Sequence, residues 1–272
     1  MRVPAVADRF YPSQEGVLRN QIIQCFRMGP GEPKECSNKR SISAVVVPHA
    51  GYQCSGSCAA YAFKEIAEDG LPDAYVVIGP DHYGVPYEFV MSSEDYWTPF
   101  GPCMVDQGIA SKLREYIPDD PRAHTREHSI EVELPFLKYI DPKAKIVPII
   151  MGRQSRSSAE RLAQAIKMAT IGKDVIIIAS SDLCHYVPKS YADTADAGFL
   201  GFVRNGDVDG MYRDVMSNNL SVCGYGPIAT AMLATGMGRT EILKQTDSFE
   251  ALNFGRDSVV GYGSAVKYKP GF

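Results

Sequence analysis

Four apolar stretches in this chain end at residues able to hold a metal or move a proton. They are Ala44-Val45-Val46-Val47-Pro48-His49, Tyr75-Val76-Val77-Ile78-Gly79-Pro80-Asp81-His82, Val175-Ile176-Ile177-Ile178 running on to Ser180-Ser181-Asp182-Leu183-Cys184-His185, and Leu220-Ser221-Val222-Cys223-Gly224. Imidazole serves as a neutral ligand or as an acid/base near neutral pH, and a cysteine thiolate adds a soft anionic donor. A single histidine at a strand end is more often a packed or capping residue. Two at the same topological point, His49 and His82, strengthen the ligand reading for both. Burying Ser180, Ser181, Asp182 and His185 together costs several kcal/mol unless they are paired or serve a site. Cys223 precedes Gly224-Tyr225-Gly226-Pro227, a turn that should open a helix. A thiol at a helix entrance is expected to have a depressed pKa, available as ligand or nucleophile. Read alone, it is equally a small buried hydrophobe. His128, in Glu127-His128-Ser129, reads as a neutral imidazole or oriented donor beside a helix start, and His124 as a loop histidine.

The elements that must position these residues alternate between strand and helix. The first three stretches read as strands at 43–48, 74–79 and 174–180, because continuous Val/Ile runs bounded by Gly or Pro suit a sheet covered on both faces. In open α/β sheets, ligands collect beyond the carboxyl ends of the strands, where all four stretches deliver their polar residues. A helix is expected from Ser13 to Phe26 with Ser13 as cap, a loop from Met28 to Ser41, and a helix from Gly56 to Glu68. Phe89 to Pro102 is aromatic and turn-rich, suggesting a hairpin or an ordered loop over the site. Val105 to Tyr116 reads as a helix stopped by Pro118-Asp119-Asp120-Pro121. Ser129 to Ile140 carries Ile130, Leu134, Leu137 and Ile140 at helical spacing, with a kink or restart expected at Pro135. A strand at 145–150, a helix at 157–170, two helices in 190–218, a helix at 227–234 and strands near 240–247 and 258–267 complete the chain. The alternation favours right-handed crossovers. The fold class is therefore α/β: one domain over residues 1–272 with a mainly parallel or mixed central sheet flanked by helices.

Composition bounds the function. The chain has 272 residues, near the upper limit for a single core, and a formal net charge of -4 with no Lys/Arg cluster, so a nucleic-acid or membrane-surface role is not expected. No apolar run reaches the length of a membrane span, and Met1-Arg2-Val3-Pro4-Ala5-Val6-Ala7-Asp8 does not resemble a secretory signal, so the expected location is cytoplasmic. Seven cysteines, an odd number, read as reduced thiols. Cys54 and Cys58 are four apart but have no matching second pair, so they read as packing residues and not as zinc ligands.

Taken together, Pro48-His49-Ala50-Gly51-Tyr52, Gly79-Pro80-Asp81-His82, Glu127-His128-Ser129-Ile130-Glu131-Val132, Ser180-Ser181-Asp182-Leu183-Cys184-His185-Tyr186, Cys223-Gly224 and Val259-Val260-Gly261-Tyr262 resemble the motifs of the Memo family. They occur in the family's order from the first strand to the last. Ala7-Asp8-Arg9-Phe10-Tyr11-Pro12 resembles its opening, with Phe10 where a Trp is often found. The resemblance implies a fold similar to class III extradiol dioxygenases, in which two histidines and a carboxylate hold Fe(II). It also implies that the carboxylate position is a cysteine, so that His49, His82 and Cys223 are the metal ligands. His185 and Asp182 then match the polar surround of the pocket, and His128 lies in a further motif. Cys54 stands where some relatives carry a pocket aromatic. In prokaryotic members the resemblance further implies a radical-SAM system partner.

Exchanging a carboxylate for a thiolate keeps the charge but softens the donor set. Fe(II) is the expected metal, with Cu or Zn as alternatives, and a redox role is the expected chemistry. Catechol ring cleavage does not follow from fold alone. Two further readings stand beside the oxidoreductase. One is a non-catalytic adaptor using the same pocket for a small-molecule, peptide or phosphopeptide ligand, which the absence of an Arg cluster around the motifs disfavours. The other is a metal-free hydrolase with Cys223 as nucleophile, His185 as base and Asp182 as its orienter.

Overall fold

The structure, a computed structural model, describes all residues 1–272. The strands are β1 (Ile42–Val47), β2 (Ala74–Pro80), β3 (Phe89–Met91), β4 (Tyr96–Thr98), β5 (Gly101–Val105), β6 (Lys145–Met151), β7 (Val175–Ser180), β8 (His185–Val187), β9 (Thr240–Asp247) and β10 (Val259–Tyr268). The helices are α1 (Glu15–Met28), α2 (Tyr52–Asp69), α3 (Gln107–Leu113), α4 (Glu133–Ile140), α5 (Arg156–Ala169), α6 (Lys189–Asn205), α7 (Val208–Ser217), α8 (Tyr225–Thr235) and α9 (Ser248–Leu252), with a 3-10 turn at Pro121–His124. No helix is long and apolar enough to cross a membrane.

These strands form one sheet in the order β4-β5-β6-β2-β7-β1-β10-β8, with β3 sharing an edge of β6 and β9 an edge of β10. The run from β5 to β1 is parallel throughout, and β10 closes it antiparallel to β1. Every residue of β1 and β2 is buried, which explains why their sequences are continuous Val/Ile runs and not alternating ones. Helices α2 and α8 both pack on β1 without meeting each other, one on each face. Helix α1 backs α2, and α5 backs α8.

Several expectations shift. Helix α1 starts at Glu15, not Ser13, because the Ser13 amide donates to Asp8 Oδ1 in the preceding arm. Pro135 neither kinks nor restarts a helix. Helix α4 begins only at Glu133, so the proline falls in its first turn, where a missing N–H breaks no intrahelical bond. The 89–102 region does form a hairpin, β4-β5, but it extends the sheet edge through β6 and does not cover the strand ends. His124, expected as a loop histidine, closes the 3-10 turn. Its ring is buried, with Nδ1 2.7 Å from Tyr96 Oη and Nε2 3.2 Å from Val90 O.

The arm at residues 1–12 is anchored by an ion pair with both side chains almost fully buried. Arg2 Nη1 donates to Glu131 Oε2 at 2.7 Å, while its Nε and Nη2 donate to the carbonyls of His124 and Glu127. Glu131 also accepts from the amides of Ala5 and Val6 and from Tyr11 Oη. Removing one partner leaves a buried charge uncompensated, so Arg2→Met is expected to lower unfolding free energy by about 3–5 kcal/mol in urea titrations. A loss below about 1 kcal/mol would contradict this anchoring. His124 gives a pH prediction. Burial, chiefly, holds its ring down at about 4 against an ordinary 6.5, so the folded state binds fewer protons than the unfolded between those values. Its contribution is full above pH 6.5 and declines as pH falls towards 4, by up to about 3 kcal/mol, and His124→Gln should flatten that part of the stability–pH curve.

Candidate metal centre

His49 leaves β1 two residues after its last strand position, His82 leaves β2 likewise, and Cys223 sits in the turn before α8. Parallel neighbours β1, β7 and β2 bring these ends together. The ligand-capable atoms of His49, His82 and Cys223 lie within 4.8 Å of one another. His49 is buried, Cys223 half-buried and His82 exposed, so the cluster is dry on one side and open to solvent on the other. Two glycines permit the close approach. A Cβ at Gly79 would collide with Ser129 Oγ, and one at Gly224 with the Ser180 carbonyl.

Both imidazoles have Nδ1 engaged by a neighbouring side chain. His82 Nδ1 lies 2.9 Å from Glu127 Oε1, and its backbone N donates to Glu127 Oε2 at 2.7 Å. Burial acts to lower the His82 pKa, but the hydrogen bond and charge of Glu127 outweigh it, and the net shift is upward. Burial would in turn raise Glu127, but the His82 bond and the Ser129 amide hold it down at about 2. His49 Nδ1 lies 2.7 Å from Ser180 Oγ, and its Nε2 lies 3.4 Å from Cys223 Sγ. Burial, followed by the charges of His82 and His128, keeps His49 neutral by pushing its pKa well down. An imidazole tied at one nitrogen by a carboxylate or hydroxyl, with the other nitrogen bare, is oriented for a metal. Two such rings and a sulfur fit a borderline-soft divalent ion.

Cys223 departs from expectation. Its thiol is pushed well above the usual range by burial and then by Asp182, not depressed. Three positions at the helix entrance offer the sulfur no amide. Gly224 N donates to Ser181 Oγ, Gly226 N to Gln154 Oε1, and Pro227 has no N–H. The sulfur receives one weak donor, Asp182 N at 3.2 Å, and Gln154 Nε2 donates to the Cys223 carbonyl at 2.7 Å. Without metal, a neutral thiol therefore faces a neutral imidazole.

Of the other residues singled out in the sequence, Asp182 is buried below the His49 turn. Its Oδ1 accepts from His49 N at 2.8 Å, and burial raises its pKa to about 6. It does not orient His185. The His185 Nδ1–H points at the Ser221 carbonyl, 2.9 Å away, and its backbone N donates to Ser221 Oγ. The following Tyr186 is exposed and has a left-handed backbone, φ 57°. His128 leans on His82 with ring centres 4.5 Å apart and meets His49 edge-on at 5.6 Å. Its buried Nδ1 has no hydrogen-bond partner. His82, Glu127 and His128 also lie close enough to suggest a second ion site. Glu127 is not free for one: Oε1 is already bonded by His82 Nδ1, His128 N and Ser129 N. Sequence reasoning missed Glu133 and Gln154, gave no role to Glu127 or Ser221 although both stood inside quoted stretches, and saw Ser180 only as part of a buried polar cluster.

A family model described as Memo-like protein matches residues 2–266. The chain is 37% identical to a MEMO1 family protein of Methanobrevibacter smithii, covering 98% of this chain and 99% of that one. It is 40% identical to one of Methanococcoides burtonii, again covering 98% and 99%. One of Thermotoga petrophila is 39% identical at the same coverage. Among solved structures, an uncharacterized protein of Escherichia coli K12 superposes with a TM-score of 0.58 at 13% identity, over 83% of this chain and 99% of that one, which speaks for a shared fold alone. The neutral thiol–imidazole pair is checked by alkylation of metal-free protein at about pH 8. Exposed Cys36 should be labelled clearly before Cys223, whose thiol burial keeps protonated. Labelling of Cys223 first would contradict the assignment.

Proposed function

The chain belongs to the Memo family, and on that premise we propose that it is a metal-dependent redox protein whose ion is held by His49, His82 and Cys223. The observation that carries this is the convergence of three donor atoms within 4.8 Å, with Nδ1 of each histidine already engaged by Glu127 or Ser180. Iron is the metal we favour, with copper or zinc as alternatives. When bound, such an ion supplies Lewis acidity and, if iron or copper, one-electron chemistry.

The chain's own residues supply the rest. Glu127 keeps the His82 ring aimed from below while its solvent side stays open, giving ligand a way in. Asp182 holds the backbone of the His49 turn and so sets how deep that ring sits. His185 has its Nδ1–H fixed on the Ser221 carbonyl, which leaves Nε2 as the ring's acceptor nitrogen. His128 packs its ring against His82, and burial holds its pKa down at about 4, so it stands beside the cluster as a neutral imidazole. A redox role leaves the sulfur open to oxidation, and its neutral resting state in the metal-free protein slows that reaction.

The 3.4 Å contact between Cys223 Sγ and His49 Nε2 favours a second reading, a cysteine hydrolase with His49 in place of His185 as the base. Against it, burial disfavours the thiolate–imidazolium pair that such a nucleophile needs. The deciding experiment is elemental analysis of protein purified without oxygen. Near-stoichiometric iron is expected in the wild type and in Asp182→Asn, and loss of it in His49→Ala and Cys223→Ser. A wild type without metal whose Cys223 reacts with hydrolase-directed thiol probes would replace the redox reading by the hydrolase.

A further inference from the structure

Beyond the ligands themselves, one buried polar junction decides which nitrogen of His49 is bare. Ser180 Oγ, at the end of β7, has three neighbours: His49 Nδ1 at 2.7 Å, Ser129 O at 2.6 Å and Glu133 Oε1 at 2.8 Å. All four residues are buried. A serine hydroxyl has one hydrogen and two lone pairs, whereas a peptide carbonyl only accepts. At 2.6 Å, Ser129 O must receive the serine hydrogen, since two acceptor oxygens that close with no proton between them repel. The two lone pairs of Ser180 are then left for the other two neighbours, and both must donate. His49 must therefore carry its proton on Nδ1, and Glu133 must carry a proton on Oε1.

We propose that Ser180 and a protonated Glu133 are positioning residues that fix the His49 tautomer, presenting the bare Nε2 lone pair to the Cys223 side of the cluster. The direction of every hydrogen bond follows from one immovable acceptor, the Ser129 carbonyl. Burial of Glu133, which pushes its carboxyl well above the usual range, agrees with the same arrangement. The two histidines are thus held by opposite chemistry. His82 leans on an ionised carboxylate, whereas His49 leans on a neutral hydroxyl whose remaining lone pair is filled by a neutral acid. A metal would then gain charge compensation from Glu127 on its open side only, and the closed side would remain uncharged apart from the thiolate.

This inference rests on the metal reading for its purpose but not for its first test, which needs no metal. In the wild-type apo protein, nitrogen-15 NMR of the imidazoles, with His49 assigned by its loss in His49→Gln, should show Nδ1 protonated and Nε2 bare. An Nε2–H tautomer would overturn the proposal. Isotope-edited infrared spectroscopy should show a protonated carboxylic acid band at neutral pH that disappears in Glu133→Gln, and a spectrum with carboxylate bands alone would overturn the role given to Glu133. Chelator competition gives the functional readout. Ser180→Ala should weaken iron binding by roughly 10- to 100-fold, the usual effect of removing a partner behind a ligating histidine. Ser180→Thr, which restores the hydroxyl, and Glu133→Gln, whose amide still donates, should bind close to wild type, while Glu133→Leu should not. Unchanged affinity in Ser180→Ala, with the fold intact by circular dichroism, would overturn it. A wild type that binds no metal yet shows the Nδ1–H tautomer would defeat the proposed function and leave the tautomer assignment standing.

Discussion

Three glutamates within seven residues, Glu127, Glu131 and Glu133, are each at least 98% buried, and the rest of the molecule is arranged around disposing of them. A buried carboxylate costs several kcal/mol unless it is paired or neutralised. Each is answered differently: Glu127 by His82 and backbone amides, Glu131 by Arg2 and the arm, and Glu133 by holding a proton against Ser180. The first and third answers aim the two imidazoles. The second fastens residues 1–12 across the same segment. A shift of this segment that relieved one glutamate would expose or strand another, so the site and the arm are fixed together.

Sheet and site were legible in the sequence to different depths, and for physical reasons. Burial on both faces makes a parallel strand read as an unbroken Val/Ile run, so β1, β2 and β7 were plain, and their carboxyl ends located His49, His82 and Asp182. The supporting groups were not legible, because a glutamate that is buried and paired looks in sequence like one on a solvated face. The apolar spacing of Ile130, Leu134, Leu137 and Ile140 reinforced that error. It suggested one helix from Ser129, whereas residues 127–132 form the turn that brings Glu127 and Ser129 to the strand ends. The three-residue strand β8 was also missed. It is too short to show a period, and it exists because β10 offers Val259 and Val260 as partners.

The same limit explains the thiol. A cysteine before a helix reads as activated because sequence shows the helix but not where its first amides point. Here they are bonded to Ser181 and Gln154, and the sulfur is left with burial and a neighbouring carboxyl group. The cluster therefore combines one solvent-facing imidazole of raised pKa with a buried imidazole and a half-buried thiol. In the proposed metal site, ligand exchange would belong to the His82 side, with the opposite side as fixed scaffold.

The anchored arm has a bearing on how the protein is made. Arg2 and Glu131 are separated by 129 positions in the chain, and Tyr11 reaches the same carboxylate across 120. A ribosome synthesising these residues in order must release more than a hundred of them before the Arg2 and Tyr11 side chains can reach this carboxylate. Until then the Arg2 guanidinium lacks its carboxylate, and β1 waits still longer for β7 and β10. Vectorial folding is therefore of little use to this topology, because the site needs Cys223 and the strand that carries His49 needs β7 and β10.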